Sequence, residues 1–388
     1  MAMGHAKLGY MPTLDGWRAI AILAVIADHA ASGFQTQSPI LFAVTRIGPN
    51  GVSLFFAISG FLICSRLLEE RSVTGHISLA GFYVRRASRI LPPAMVYLAI
   101  IVLLGAAGII LVSRWEWWSS VLFFRNYLPS DLVTDGWGGY TVHYWSLAVE
   151  EHFYLLWPAL LVLSSPRRAK WIAAGLAIAV ACWRSWDLRH QFFERHIHGL
   201  LFGSRTDIRL DGLLMGCLAA LLLAEPYWRA VFLRTMKWWL WAGCVVAYLG
   251  VQIAFRRHYY TIFESGLLAV IVATTVLRPD IWVGRILELG WIRWIGRLSY
   301  SLYLWQQLFL VRGAKFPLSG LQKFPVNFVL LLATAALSYR FVERPFIRLG
   351  HRLAPPPTPG RQDIETSNSH AEKAAAENCA ATTVPRSA

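Results

Sequence analysis

An arginine and a histidine stand eleven residues apart in "LDGWRAIAILAVIADHA", residues 14–30, a stretch otherwise apolar enough for a membrane helix. At about 100° per residue, eleven steps end only about 20° from three whole turns. Arg18 and His29 therefore share a helical face, about 16 Å apart along the axis. Ionisable groups at membrane depth are costly and by default mark a function; the plainer alternative is a packed ring satisfied by a neighbouring helix. A second set lies in "GFYVRRASRILPP", residues 81–93. Arg86 and Arg89 are three apart and share a face, and the guanidinium fork matches phosphate oxygens. For Arg85, Arg86 and Arg89 the bland alternative is anchoring at an inner membrane surface. The third set is "HYWSLAVEEHFYLLWP", residues 143–158, with Glu150 and Glu151 just inside an apolar helix and His143 and His152 beside them. A carboxylate there could polarise a histidine, pair with an arginine or hold a hydroxyl substrate; a structural salt bridge is the alternative. Zinc at His143, Glu150 and His152 is geometrically thin, and no metal site is expected.

These side chains need elements to hold them, and composition says which kind. The chain has 388 residues, 56% of them hydrophobic and 15% charged, with mean hydropathy +0.45. Soluble domains carry about 25% charged residues, so the expected solvent of the apolar blocks is a bilayer. Eighteen tryptophans and fourteen tyrosines suit two membrane–water interfaces. A net charge of +15 would suggest nucleic acid in a soluble protein; here the arginines punctuate apolar segments, so they are read as setting topology, and no nucleic-acid partner is expected. The five cysteines are dispersed with no CxxC spacing, so neither a disulfide frame nor a zinc site is expected. The N-terminus lacks a small-residue cleavage pattern, and the first apolar segment is expected to stay in the mature protein.

Ten apolar segments can be drawn: 19–33, 51–65, 91–112, 146–164, 171–183, 208–224, 238–255, 262–277, 296–311 and 325–342, of which 171–183 is the weakest. With the N-terminus inside, the inner segments carry 20 Lys and Arg and the outer loops 12, a bias that predicts both termini in the cytoplasm. The expectation is an all-α, polytopic membrane bundle of about ten transmembrane helices, multi-pass in the cell membrane. It covers residues 1–353, followed by a tail, 354–388, whose proline, small and polar residues cannot bury a core. Two further stretches are polar in apolar surroundings, "TDIRLDGLLMG" (206–216) and "GRLSYSLYLWQQ" (296–307). Asp207, Arg209 and Asp211 are expected to include an internal ion pair, and Ser299, Tyr300, Ser301 and Tyr303 to hydrogen-bond between helices.

The ordered series "LDGWRAIAILAVIADHA", "GVSLFFAISGFLI", "FYVRRASRILP", "HYWSLAVEEHFYLLWP", "RLDGLLMG", "RLSYSLYLW" and "YRFVERP" resembles the acyltransferase-3 family of integral-membrane O-acyltransferases, from about residue 10 to 350. The resemblance implies a ten-helix domain that moves an acyl group, usually acetyl, from cytoplasmic acyl-CoA to a hydroxyl of a glycan or other acceptor. The family's arginine–ten residues–histidine motif matches Arg18 and His29, its RxxR motif Arg86 and Arg89, and its Ser-x-x-x-Glu-Glu element Ser146, Glu150 and Glu151. Two positions depart. Gln306 follows the "LYLW" tryptophan where many members have histidine, and Ser53 stands where many have aspartate. Some members append an extracytoplasmic hydrolase-like domain; none is read in these 388 residues, which leaves the acceptor open.

Residues and resemblance together give one expectation. Acyl-CoA is the donor substrate, with no tightly bound cofactor; its phosphates sit at the cytoplasmic mouth on Arg86, Arg89 and Arg18. The pantetheine arm reaches inward to His29, the general base on an acceptor hydroxyl of a carbohydrate or lipid-linked group, for which an imidazole of unperturbed pKa about 6.5 is suited. Asp28 points about 100° off the His29 face, so Glu150 or Glu151 is the expected orienting partner. The rival from another class is a proton-coupled transporter with His29, Glu150 and Glu151 as a relay.

Overall fold

The computed structural model describes residues 10–32, 48–134, 139–197, 199–200, 202–254, 262–310 and 319–355, and they are helical with no strand among them. The elements are α1 (Pro12–Ser32), α2 (Gly48–Thr74), α3 (Leu79–Ala106), α4 (Arg114–Val121), α5 (Tyr144–Leu163), α6 (Pro166–His190), α7 (Phe192–His196), α8 (Thr206–Ala224), α9 (Pro226–Thr235), α10 (Trp238–Ala254), α11 (Ile262–Leu277), α12 (Trp282–Leu287), α13 (Gly290–Leu310), α14 (Val326–Ser338) and α15 (Arg344–Leu353). A π-helical turn, Tyr339–Glu343, joins the last two. Each of the ten apolar segments overlaps one of these helices. Among the described residues, four helical stretches are long and apolar enough to cross a membrane: Asn50–Thr74, Leu79–Ala106, Tyr144–Leu163 and Val326–Leu353. The expected tail lies outside the described residues beyond 355.

The helices outrun their apolar segments because charged turns continue them at one end. The segment expected at 91–112 belongs to a helix that starts at Leu79, so Arg85, Arg86 and Arg89 lie within α3 rather than in a loop leading to it. The Ser78 side chain caps that helix by accepting from Gly81 N. Pro92 and Pro93 sit inside α3; proline removes backbone donors, and around the pair the Tyr300 and Tyr144 hydroxyls donate to Ile90 O (2.7 Å) and Ala94 O (2.8 Å). The weakest expected segment, 171–183, is part of the 25-residue α6, opened by the Ser165 cap and Pro166.

The bundle is held at its centre by α8, which packs on α2, α6 and α11, while α1 lies between α2 and α13. Where the α2 and α8 backbones cross, only glycine fits: a Cβ on Gly60 would lie 2.0 Å from Leu213 O, and one on Gly216 2.3 Å from Ala57 O. Small residues at such crossings let helices approach closely in lipid. Gly60→Val is therefore expected to cost about 1–3 kcal/mol through overpacking, read as a lower unfolding temperature of the detergent-purified protein; an unchanged temperature would refute the tight crossing. Large side chains such as Leu156, Val246, Phe263 and Val329 point outward and are exposed, as a lipid-facing surface requires.

The pairs expected within 206–216 come out differently. Asp211 pairs with Arg184 (3.1 Å) and Asp207 with Arg205 (2.6 Å), whereas Arg209 donates to Ser53 (3.3 Å). Residues two apart on a helix point away from each other, so Arg209 cannot reach both aspartates beside it on α8.

Candidate active site

Three helices carry polar stripes toward one another. On α1, Asp15, Arg18 and His29 face the same interior. On α5 the spacing of His143, Ser146 and Glu150 puts them in one line at three- and four-residue steps. On α13, Ser299, Tyr303 and Gln306 do the same. At one end Gly296 of α13 abuts the backbone of Asp15, where an added Cβ would lie 1.8 Å from Asp15 O. At the other, His29 Nδ1 and Gln306 Oε1 are 3.0 Å apart. The two helices therefore run side by side in the same direction.

At the Arg18 level the arginines meet the carboxylates. Arg86 Nη2 donates to Glu150 Oε2 at 3.2 Å, and its Nε stands 3.7 Å from Glu151 Oε1. Its guanidinium also lies 3.7 Å from the Tyr154 ring centroid, a cation–π contact. Glu150 is further held by Ser59 Oγ and the Tyr154 hydroxyl, each at 2.9 Å. Arg18 pairs with Asp15 at 3.4 Å, and Asp15 also accepts from the Tyr10 hydroxyl. Arg89 differs: among the described residues no carboxylate comes within ion-pairing distance of it.

Two cavities meet at these arginines. The wider, about 740 Å³, is lined by Arg18, Arg66, Arg85, Arg86, Arg89 and Arg297 against four carboxylates, Asp15, Glu69, Glu70 and Glu343. It is a vestibule with an excess of positive charge. The narrower, about 80 Å³, shares Arg18, Arg86 and Arg89 and continues between Val52, Phe55, Phe56 and Leu147 toward Ser146 and Tyr303. Wide basic mouth and narrow apolar throat form one path. Where it ends, the Tyr303 hydroxyl lies 2.5 Å from Ser146 Oγ and donates to His143 O at 3.0 Å.

His29 lies beyond that closure and lines neither cavity. Its neighbours are Gln306, fully buried, and His143, whose ring is near enough for the charges of the two imidazoles to repel. His143 is 2% exposed and sits edge-on to Tyr97, Tyr144 and Tyr303, with ring centroids 5.0–5.6 Å away. Glu150 and Glu151, expected to orient His29, sit instead at the arginine level, while His29 is three turns away along α1 and its ring meets Gln306. His152 bonds Thr206 Oγ1 at 2.7 Å, apart from His143. No group of three His, Cys, Asp or Glu side chains that could hold a metal occurs among the described residues.

Ser59 and Tyr154 were not singled out from the sequence, although each had a signal: a hydroxyl in an otherwise apolar helical run; Tyr303 was expected to hydrogen-bond between helices, and it does so where the throat ends. Gln306 was visible only as a departure from the resemblance.

Comparison with known proteins bears on the same residues. A Listeria monocytogenes protein named peptidoglycan O-acetyltransferase OatA is 28% identical over 376 residues, covering 88% of this chain and 56% of its own length. A Staphylococcus aureus (strain MSSA476) protein, whose name describes it as a "Putative O-acetyltransferase", is 30% identical over 382 residues, covering 89% of this chain and 59% of its own. The chain thus spans a little over half the length of these relatives. No solved structure matches it. The family described as "Acyltransferase domain" (Acyl_transf_3) matches residues 11–341, a span that includes Arg18, His29, Arg86, Arg89, Ser146 and Gln306, and the chain belongs to that family.

Proposed function

We propose that the protein is a multi-pass membrane O-acyltransferase that moves an acetyl group from acyl-CoA at its cytoplasmic face to a hydroxyl of a cell-envelope glycan. The observation that carries this reading is the path itself: a basic vestibule, then an apolar throat sharing Arg18, Arg86 and Arg89, with His29 about 16 Å beyond Arg18 on the same helix. A nucleotide with several phosphates fits the vestibule, where Arg89 faces the charge of Glu343 without a direct ion pair. A thin pantetheine arm fits the throat, and its thioester reaches the imidazole once Ser146 and Tyr303 part. The names of the relatives, which include peptidoglycan O-acetyltransferase, support a glycan hydroxyl as acceptor.

The chemistry balances without a further reactant. His29 takes the proton of the acceptor hydroxyl as its oxygen attacks the thioester carbonyl. The C–S bond breaks, the thiolate takes the proton back from the imidazolium, and an ester and a free thiol leave. Glu150 and Glu151 hold Arg86 at the throat rather than touching the reacting atoms.

The sidedness this needs is ten spans with both termini inside. Three of the arginines counted against that orientation, Arg125, Arg184 and Arg205, are buried in contacts with Glu116, Asp211 and Asp187, so they are not loop charges. The parallel course of α1 and α13 also agrees with the even number of spans that the ten-helix count puts between the starts of the two helices. The test uses a cysteine-free background with single cysteines at Ser72 or Asp131, both exposed and separated by α3. In sealed vesicles an impermeant thiol reagent should label them from opposite sides, and acetyl-CoA should be consumed, without any ion gradient, only from the Ser72 side. Labelling of both from one face overturns the topology, and consumption from the Asp131 side overturns the vestibule assignment. Transport that requires a gradient, with no acetyl-CoA turnover, would instead favour the proton-coupled transporter.

A further inference from the structure

The His29–Gln306 contact fixes more than an orientation. The atoms in contact are Nδ1 of the ring and Oε1 of the amide, at 3.0 Å, across 277 residues of sequence. An amide oxygen can only accept a hydrogen bond, so the proton of the neutral ring sits on Nδ1 and its lone pair on Nε2. Which ring nitrogen is protonated is set by the hydrogen bond the other makes. Gln306 is 0% exposed, and its side chain stands one turn from Tyr303 on the α13 face that ends the throat. Its own amide nitrogen has no partner among the described residues, so no competing bond draws the amide away from Nδ1.

We infer that Gln306 is the positioning residue of the transfer reaction, holding His29 in the tautomer whose Nε2 takes the acceptor proton. This rests on the general-base reading of His29. The residue acts through the imidazole and does not touch substrate. A neutral amide suits the task here, because an added carboxylate would favour imidazolium, which cannot act as a base. Titratable groups near His29 include Asp28 on its own helix and His143 at the start of α5; Gln306 brings no charge from α13.

The test compares wild type, Gln306→Met and Gln306→Glu in detergent or nanodiscs, following CoA thiol release from acetyl-CoA with a soluble N-acetylglucosamine tetramer as acceptor. Methionine keeps the volume and removes the acceptor; kcat should fall by at least about tenfold, short of loss of the base itself, with KM for acetyl-CoA unchanged. Glutamate still accepts from Nδ1 but cannot donate, and its charge favours imidazolium. Activity should return at higher pH, with the acid limb of the kcat profile moved upward by about one pH unit or more. Unfolding temperatures close to wild type in both variants keep the comparison free of misfolding. Wild-type kcat in Gln306→Met, or a Gln306→Glu enzyme inactive at every pH, overturns the tautomer role while leaving the acyltransferase reading intact. No thiol release by wild type overturns both.

Discussion

His29→Ala is expected to lower acyl transfer by about 10²–10⁴-fold while expression, membrane insertion and acetyl-CoA binding stay near wild type. The side chain lines neither cavity, and Arg18, the other polar end of its helix face, keeps its contacts in the variant. Removing the ring therefore takes away the base without disturbing the donor's seat. Measuring kcat and donor affinity separately decides the matter. Full turnover in the variant would show that the imidazole is only a packed side chain between α1 and α13.

Arg89 and Arg86 should behave differently although their spacing makes them a pair. Arg89→Ala removes a guanidinium that lines both cavities without a direct ion pair, so its loss should fall on the donor. A hydrogen bond to a charged group contributes about 1.5–3 kcal/mol, or roughly a 10- to 100-fold weaker acyl-CoA affinity, with stability unchanged; Arg89→Lys should recover only part of it, lacking the fork. Arg86→Ala leaves Glu150 and Glu151 without their cation and strips Tyr154 of its stacked partner. Breaking such a pair should cost about 3 kcal/mol of stability as well as donor affinity. Arg189→Ala, at an exposed position, serves as control. Equal donor affinity in Arg89→Ala and the control would remove Arg89 from the binding site.

The helical class and the positions of the apolar helices were legible because, in lipid, apolar runs of sufficient length must form helices that satisfy their own backbone. Arg18 and His29 on one face followed from periodicity alone. The partners did not. Glu150 could serve a histidine or an arginine by any reading of α5 by itself; the choice is made by how far along its axis α5 sits against α1, a tertiary offset that no local pattern encodes. Gln306 was obscured for the same reason, since its meaning depends on α13 running parallel to α1 and in register with it. The arginines of 184–207 blurred the charge count because a sequence does not tell a buried pair such as Arg205–Asp187 (2.8 Å) from a loop cation.

The parallel pairing of α1 and α13 also sets an order of events during synthesis. His29 is made with α1, and the amide that bonds it belongs to a helix made 277 residues later. For most of translation the imidazole has no such neighbour. A chain released early would carry the histidine and the arginines of α3 yet lack the wall formed by Ser299, Tyr303 and Gln306. On the proposed function, competence for transfer then arrives only when α13 docks.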